Sequence, residues 1–233
     1  MLVALTKEGK RYLIKGKELH TQYGYVKNPK KGLNKTHLGK EIYVFKPGFV
    51  DLLWKIKRGP AIITPKDIGY IIAETGIGKN SVALDAGTGS AYLAAYLANI
   101  CKKVYSYEIR KDHYKLAKEN IKFLGLKNVV IKNRDLFKGI KEKNLDLIVF
   151  DLPEPWKGLE QACKALKVGG FLVCYLPNLN QVTKTISRLP KHLIHVKTTE
   201  LIEREWIIDK QHLRPKAKSL MHTAFLVFFR KVY

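Results

Sequence analysis

Residues 81–90 of the chain, Ser-Val-Ala-Leu-Asp-Ala-Gly-Thr-Gly-Ser, carry the clearest signal of its fold. The apolar run Ser81–Asp85 predicts a buried strand that leads directly into glycines. Glycine lets the backbone pass close to a ligand where a Cβ would collide. A helix is predicted over Tyr92–Asn99, so the whole stretch forms a strand, a glycine-rich turn and a helix. That order is typical of nucleotide-binding α/β folds.

Strands and helices continue to alternate after this stretch. Further strands are predicted at Lys103–Glu108, Val129–Lys132, Leu145–Asp151 and Gly170–Leu176, and a long helix at Lys111–Leu124. Repeated β–α units of this length favour a parallel sheet with helices on both faces. The sequence therefore predicts an α/β fold.

The flanks of the α/β region have their own signals. Thr64-Pro65-Lys66-Asp67 predicts a helix start, with the Thr64 hydroxyl as N-cap and proline in the first turn. Near the C-terminus, Val196–Ile208 and Thr223–Arg230 are β-rich and are separated by the turn-prone segment His212–Lys218. We expect them to form an antiparallel pair at the edge of the sheet.

The N-terminal quarter of the chain differs in composition. Residues 1–60 carry 14 basic and 4 acidic side chains. Short β-prone runs predict a small all-β domain over residues 1–56, followed by a catalytic domain over residues 57–233. Tyrosines interleave with lysines here, which suits RNA stacking and phosphate contacts but equally suits a small barrel that packs its own aromatics. The runs and the tyrosines are Arg11–Ile14, Gly24–Val26, Glu41–Phe45, Tyr12, Tyr23, Tyr25 and Tyr43.

The overall composition narrows the function classes. The chain has 233 residues and 43 basic against 20 acidic side chains, a net charge of +23. Such a surface attracts polyanions such as nucleic acids. A general enrichment of lysine in a proteome usually raises glutamate as well, and here the acidic residues do not keep pace. No long apolar stretch or signal peptide is visible, so we expect a cytoplasmic protein without a membrane segment. The spacing of Cys101, Cys163 and Cys174 matches no metal site, so we expect buried, reduced thiols and no metal.

The glycine stretch alone admits two kinds of nucleotide. A dinucleotide fingerprint would place a third glycine at position 92, which is Tyr92 here. Asp85 lies two residues before Gly87 and suits a cofactor with an ammonium group, such as S-adenosylmethionine (SAM). Glu108, at the end of the second strand, can accept both hydroxyls of a ribose in either case. Asp135, after the third strand, could accept an adenine amine or could cap a short helix at Leu136.

The loop after the fourth strand distinguishes the alternatives. Asp151-Leu152-Pro153-Glu154-Pro155-Trp156 begins at the carboxyl end of a predicted central strand, where open α/β sheets bind ligands. Its two prolines stiffen the loop, and it offers a carboxylate and a tryptophan to a flat base that bears an amine. A dehydrogenase needs no such loop, so a base-modifying enzyme is favoured over a nicotinamide enzyme.

Taken together, these motifs resemble the class I SAM-dependent methyltransferases. More narrowly, the chain resembles the tRNA (adenine-N1)-methyltransferases that act on T-loop adenosines. The resemblance covers most of the chain and rests on several blocks. These are Arg58–Asp67, Asp85–Ser90, Glu108, Asp135, Asp151–Trp156, Arg204-Glu205-Trp206, Arg214-Pro215 and His222-Thr223-Ala224-Phe225-Leu226. The pattern departs at Ala61 and Thr64, where the family often has Gln and an aromatic or His, and at Ala224, where Gly is usual.

The resemblance implies a Rossmann-like sheet with a small N-terminal β-domain, SAM as cofactor, tRNA as partner and a homotetramer. It implies Asp151 as the catalytic residue. The cofactor site would comprise Asp85, Gly87, Thr88, Gly89, Ser90, Ala91, Glu108, His113, Asp135 and Asp151. Pro153, Trp156, Arg204 and His222 would contact the substrate.

Adenine N1 has its own lone pair, so catalysis is expected to be mainly alignment, with Asp151 stabilising the cationic product and binding the N6 amine. The adenosine at position 57, the one at 58, or both remain as targets. Two other functions stay open at this point: methylation of another RNA base position, such as guanine N7, and a non-catalytic tRNA-binding subunit. A non-catalytic subunit would be expected to lose the cofactor glycines or Asp151, and both are intact.

Overall fold

The computed structural model describes residues 1–59, 61–209, 211–217 and 221–233. It divides the chain into two compact units, Met1–Ile56 and Lys57–Tyr233. Pro60, inside the predicted block Arg58–Asp67, and Lys218, at the end of the predicted turn, lie outside the described residues. Within the described ranges, no helix combines the length and the apolar composition that crossing a bilayer requires.

The first unit is built from short antiparallel strands. A four-stranded sheet has the order β2-β1-β6-β5, and β3 and β4 form a separate hairpin before the short helix α1. The elements are β1 Leu2–Thr6, β2 Arg11–Ile14, β3 Glu18–Thr21, β4 Gly24–Lys27, β5 Gly32–Lys35, β6 Glu41–Phe45 and α1 Phe49–Leu53. Alternation along β6 buries Ile42 and Val44 and exposes Tyr43 and Phe45, so only one face of this strand joins the small core.

The tyrosines of this unit have different roles. Tyr12 packs against the small core. Tyr25 stacks on His37 with ring centroids 4.2 Å apart. Tyr43 is 39% exposed on the outer face of β6. Packing within the unit therefore accounts for Tyr12 and Tyr25, whereas Tyr43 remains available to a partner.

The second unit contains the predicted α/β fold. Its strands are β7 Val82–Ala86, β8 Lys103–Glu108, β9 Val129–Asn133, β10 Leu145–Phe150, β11 Leu166–Leu176, β12 Leu193–Thr199, β13 Trp206–Ile208, β14 Leu213–Pro215 and β15 Phe225–Lys231. Its helices are α2 Pro65–Thr75, α3 Tyr92–Ala98, α4 Lys111–Leu124, α5 Leu159–Ala165 and α6 Leu179–Ile186.

The main sheet has seven strands in the order β12-β15-β11-β10-β7-β8-β9. Strands β7 to β11 pair in parallel, and β15 is antiparallel to both of its neighbours. The chain order reverses at β7, which lies between β8 and β10. Side chains of β7 and β10 are buried on both faces, as the continuous apolar run of a central parallel strand predicts. This is the class I methyltransferase architecture expected from the sequence.

The C-terminal prediction needs one correction. The run Val196–Ile208 is not a single strand: β12 pairs with β15, whereas β13 pairs with β14 in a separate hairpin. The charged segment Glu200–Glu205 interrupts the run because its acidic and basic side chains do not suit a half-buried strand. The predicted antiparallel pair at the sheet edge is confirmed for β12 and β15, with β12 as the outermost strand.

Two smaller predictions also have clear outcomes. Helix α2 begins at Pro65 and ends at Gly76, which adopts φ +62°, as expected of a glycine C-cap. Thr64 is the N-cap residue, but its hydroxyl does not cap the helix, because it donates to the Asp67 carboxylate instead. The three cysteines are free and buried, as predicted.

Candidate functional site

A cavity of about 420 Å³ opens at the carboxyl ends of β7, β8 and β10. Parallel strands present their carboxyl ends at one edge, and ligands bind where the strand order reverses. Three carboxylates, those of Asp85, Glu108 and Asp151, line the cavity. The other predicted site residues in its lining are Gly87, Thr88, Gly89, Ser90, His113 and Pro153. The lining also includes Arg110, so carboxyl groups outnumber permanently charged cations in the cavity although the chain as a whole is strongly basic.

The first glycine of the turn is required by the protein's own backbone. Gly87 has φ +76°, and a Cβ at this position would overlap the carbonyl oxygen of Asp151. The Asp151 amide donates to the Ala86 carbonyl at 2.8 Å, which holds the two strand ends together. The expected reason for this glycine was close approach to a ligand, and the structure gives a different one. Gly87 lets the loop that carries Asp151 lie against the turn.

Glu108 is held rigidly at the end of β8. Its two carboxylate oxygens accept backbone amides, one from Gly89 and one from Arg110, each at 2.9 Å. His113 Nδ1 lies 3.9 Å from the Glu108 carboxylate. Each carboxylate oxygen has a second lone pair, so the group can accept further donors such as ribose hydroxyls from a fixed position.

Asp85 lies at the bottom of the site in a chain of buried hydroxyls. Ser106 donates to Asp85 at 2.9 Å, and Thr88 lies 2.6 Å from the Ser106 hydroxyl. Burial raises the pKa of Asp85 to about 8, and the neighbouring Asp151 and Glu108 carboxylates act in the same direction, against the Ser106 hydrogen bond. A cation in the cavity would favour the ionised form. Ser106 is a site residue that no sequence motif indicated.

Asp151 follows β10 directly and faces the same cavity. Burial raises the pKa of its carboxyl group to about 6. At neutral pH the group is therefore mostly ionised but able to accept a proton, which is the range suited to general-base work.

Two predicted cofactor residues lie outside this lining. Ala91 is fully buried with φ +62° and precedes α3, so its part is to shape the turn. The Asp135 carboxylate accepts the Phe137 amide at 2.9 Å and caps the short 3-10 helix Leu136–Lys138, which is the capping alternative considered above. Asp135 also lines an adjoining opening next to Ile109.

The predicted substrate residues are not brought together. Pro153 lines the cavity, but Trp156 packs against the core, and Lys184 Nζ lies 4.1 Å from its ring centroid. Within this loop, Pro153 therefore lines the site, whereas Trp156 packs against the core. Arg204 lies exposed over Trp206, 5.9 Å from the ring centroid. His222 contacts the Glu200 carboxylate at 2.7 Å and the Pro177 carbonyl at 3.0 Å, and this carboxylate raises its pKa.

The Pro65-Lys66-Asp67 motif has a role that helix capping did not predict. The fully buried Asp67 carboxylate accepts hydrogen bonds from Thr64 at 2.7 Å, Lys66 at 2.8 Å and Thr223 at 2.9 Å. The Tyr175 hydroxyl adds a longer one at 3.3 Å. This network ties the start of α2 to β11 and to the segment before β15. Sequence spacing gave no signal of it because Asp67 and Thr223 are 156 residues apart.

Comparison with known proteins gives a consistent result. Residues 42–224 match the family model described as the tRNA methyltransferase complex GCD14 subunit. The tRNA (adenine(57)-N(1)/adenine(58)-N(1))-methyltransferase TrmI of Methanocaldococcus jannaschii is 36% identical over 95% of this chain and 92% of its own length. The tRNA (adenine(58)-N(1))-methyltransferase TrmI of Thermus thermophilus is 33% identical over 99% of this chain and 96% of its own length.

Solved structures agree with this family. The tRNA (m1A58) methyltransferase TrmI of Aquifex aeolicus superimposes with a TM-score of 0.85 at 29% identity, over 100% of this chain and 96% of its own. A SAM-dependent O-methyltransferase of Thermotoga maritima gives a TM-score of 0.88 at 31% identity, over 100% of this chain and 92% of its own.

Proposed function

Because this chain belongs to the GCD14 family of tRNA methyltransferase subunits, we propose that it transfers a methyl group from SAM to N1 of an adenosine in tRNA. The observation that carries this proposal is the cavity at the carboxyl ends of β7, β8 and β10. Three carboxylates line it in a chain whose net charge is +23. The basic surface suits a polyanionic substrate, and the acidic cavity suits a cationic cofactor.

The residues of the cavity fit SAM. Its sulfonium and ammonium groups are cationic and match the carboxylates, while its ribose hydroxyls match the fixed Glu108 acceptor. The Ser90 hydroxyl oxygen is buried at the cavity and has no hydrogen-bond partner among the described residues, so it can bond to a polar ligand atom. Asp85, Glu108, Ser90 and His113 would hold the cofactor, with Asp135 in the adjoining opening. Bound SAM supplies an electrophilic methyl group.

The protein's part in the chemistry is to position and to stabilise charge. Transfer of that methyl group to N1 would leave S-adenosylhomocysteine and would make the adenine ring cationic. The Asp151 carboxylate can accept the N6 amine as a hydrogen-bond donor and offset the positive charge, and it can then take the N6 proton. Pro153 keeps the loop stiff and lines the cavity beside it. The target base must leave its stack in the tRNA to reach this site.

The target is an adenosine of the T-loop, at position 57, position 58 or both. The M. jannaschii relative is named for both positions, and the T. thermophilus relative for position 58. The test is incubation of unmodified tRNA with methyl-labelled SAM, followed by nucleoside mass spectrometry. Transcripts with guanosine at position 57 or at position 58 identify the site. We expect 1-methyladenosine. Methylated guanosine, or no methylated nucleoside, would contradict the proposal.

Residues 1–56 are proposed as a tRNA-binding domain, followed by the catalytic domain, residues 57–233. Support comes from the exposed lysines of the first unit and from Tyr43 on its outer face. The exposed side chains of Arg204 and His222 are proposed as further RNA contacts. With tRNA as substrate, the protein would act in the cytoplasm.

A homotetramer is proposed for the assembly. The hairpin of β13 and β14 exposes apolar side chains: Trp206 is 54%, Ile208 75% and Leu213 77% exposed. Such a patch is typical of an interface between subunits. Light scattering during size exclusion tests this: we expect four times the chain mass of 26.7 kDa. Replacing Ile208 and Leu213 by Ser should lower the mass, and an unchanged mass would show that the hairpin is not the interface.

A further inference from the structure

One wall of the cavity is formed by a segment without regular secondary structure. Residues 57–59 and 61–64, here the wall segment, precede α2, and three of them line the cavity: Ala61, Ile62 and Ile63. Ala61, Ile62 and Ile63 lie in no strand or helix, and the Thr64 carbonyl accepts the Ile68 amide at the start of α2. Their position therefore depends on what anchors the two ends of the segment.

Asn120 on α4 anchors the N-terminal end. Its amide group is 2% exposed and makes three hydrogen bonds to backbone groups. Its oxygen accepts the Lys57 amide at 2.9 Å, and its nitrogen donates to the Lys57 carbonyl at 2.8 Å. The same nitrogen donates to the Ser90 carbonyl at 2.9 Å. One side chain thus joins the wall segment to the glycine-rich turn across the cavity.

The C-terminal end is anchored by the Asp67 network through the Thr64 hydroxyl. Between the two anchors, the segment lies close to α4, because a Cβ at Gly59 would come within 2.7 Å of the Leu116 side chain. The described part of the segment is therefore held at both ends, and Asn120 connects it to the turn that carries Ser90.

We infer that Asn120 is a positioning residue of the cofactor site, holding the wall segment and the Ser90 turn at the separation that SAM requires. It touches neither cofactor nor substrate and acts through the two backbone segments that it joins. The inference rests on the proposed function in assuming that SAM fills this cavity. Without these bonds, the binding-competent wall would be one of several arrangements. Apparent affinity falls in proportion to its population, so a population of one tenth raises the Kd about tenfold.

Asn120→Ala tests the inference, with SAM affinity measured by calorimetry on the folded protein. We expect the Kd for SAM and its KM to rise about tenfold. The KM for tRNA and kcat at saturating SAM should change less than twofold, because bound SAM restores the wall. A residue that only supports the fold would lower the melting temperature and leave the Kd of the folded fraction unchanged. That result would overturn the inference.

Glu119→Gln is the matched control. Glu119 pairs with Lys57 at 2.7 Å on the exposed surface, so it links α4 to the same wall segment next to Asn120. Its loss leaves the Asn120 bonds intact, and SAM affinity should not change. Asn120→Asp keeps the side-chain volume and the acceptor for the Lys57 amide but loses both donors when ionised. Asn120→Asp should weaken SAM binding as Asn120→Ala does. If the alanine variant does not fold, the Kd of Asn120→Asp for SAM tests the inference in its place.

Hydrogen exchange without SAM gives a second reading. Amides of the wall segment should exchange faster in Asn120→Ala than in the wild-type protein and in Glu119→Gln, and equal exchange in all three would contradict the inference. Failure of the wild-type protein to bind SAM would instead refute the proposed function, so the two failures are distinguishable.

Discussion

The N-terminal unit and the cavity of the second unit place charge in opposite ways. Residues 1–60 carry 14 basic and 4 acidic side chains, and the lysines of the first unit are exposed. In the cavity, Asp85, Glu108 and Asp151 cluster at three strand ends. Exposed charge is screened by salt and acts on encounter, whereas buried charge changes pKa values and acts on chemistry. The positive net charge therefore indicates a polyanionic substrate, whereas the carboxyl groups of the cavity indicate a cationic cofactor.

The largest effect expected from this comparison is on Asp151. Asp151→Asn keeps the shape but removes the charge that offsets the methylated ring. Loss of one such group costs about 3–4 kcal/mol, so the single-turnover rate should fall about 10²–10³-fold. Binding of tRNA should change little.

Glu154→Gln serves as the control within the same loop. Glu154 is partly exposed and pairs with Lys157, so its replacement should leave the rate near that of the wild type. If Asp151→Asn kept more than a third of the rate while Glu154→Gln lost most of it, the catalytic assignment would be wrong.

The next effect concerns the cofactor. Asp85→Asn replaces a buried carboxyl group that a bound cation would ionise, and a hydrogen bond to a charged group is worth about 1.5–3 kcal/mol, so SAM should bind about 10–100-fold more weakly. Since burial raises the pKa of Asp85 to about 8, wild-type binding of a cation at pH 7 should release a proton. Calorimetry in buffers of different ionisation enthalpy measures this release. Equal proton release by the wild type and the variant would show that Asp85 does not titrate on binding.

A smaller effect is expected from the basic unit. Replacing three exposed lysines by Gln should weaken tRNA binding about tenfold and reduce the slope of log K against log salt by up to about 3, with SAM affinity unchanged. The three lysines of the first unit are Lys15, Lys17 and Lys31. As a comparison, three exposed lysines on and after α4 are also replaced by Gln, and this change should weaken tRNA binding less. These are Lys118, Lys122 and Lys127. If both sets of substitutions weakened tRNA binding equally, the first unit would have no special role in binding tRNA.

The fold could be predicted from the sequence where a pattern was local. The apolar run of β10 and the glycines after β7 indicated the parallel sheet and the place of the site, and Asp85, Glu108 and Asp151 lie together as strand-end spacing predicts. The split between β12 and β13 could not be predicted from periodicity, because β12 pairs with the distant β15 whereas β13 turns back onto the nearby β14. Trp156 could not be placed because a tryptophan in a stiff loop can face either a ligand or the core.

Contacts between distant residues account for what the sequence did not show. The Asn120 amide and the Ser106 hydroxyl are common polar residues on a helix and a strand, and only their partners give them a role. Likewise, the reason for Gly87 is the carbonyl of Asp151, which the chain brings near only after folding. Motif analysis finds residues that face a ligand, and it misses those that hold the facing residues in place.

The smallest expected effect is on stability, and it separates the two regions by its dependence on pH. Burial raises the pKa of Asp85 to about 8 from its ordinary value of 3.8, so between these values the folded protein keeps a proton that the unfolded chain has lost. The Asp85 contribution to stability is therefore full below about pH 4 and declines as pH rises to about 8. Asp85→Asn removes this dependence. Without SAM, its melting temperature should match the wild type near pH 4 and exceed it at pH 8. The triple lysine variant should follow the wild-type curve, because lysines stay protonated throughout this range. Scanning calorimetry at five pH values measures the melting temperatures of the wild type and both variants. If the melting temperatures of the wild type and Asp85→Asn changed in parallel with pH, Asp85 would be ionised in the free protein at neutral pH.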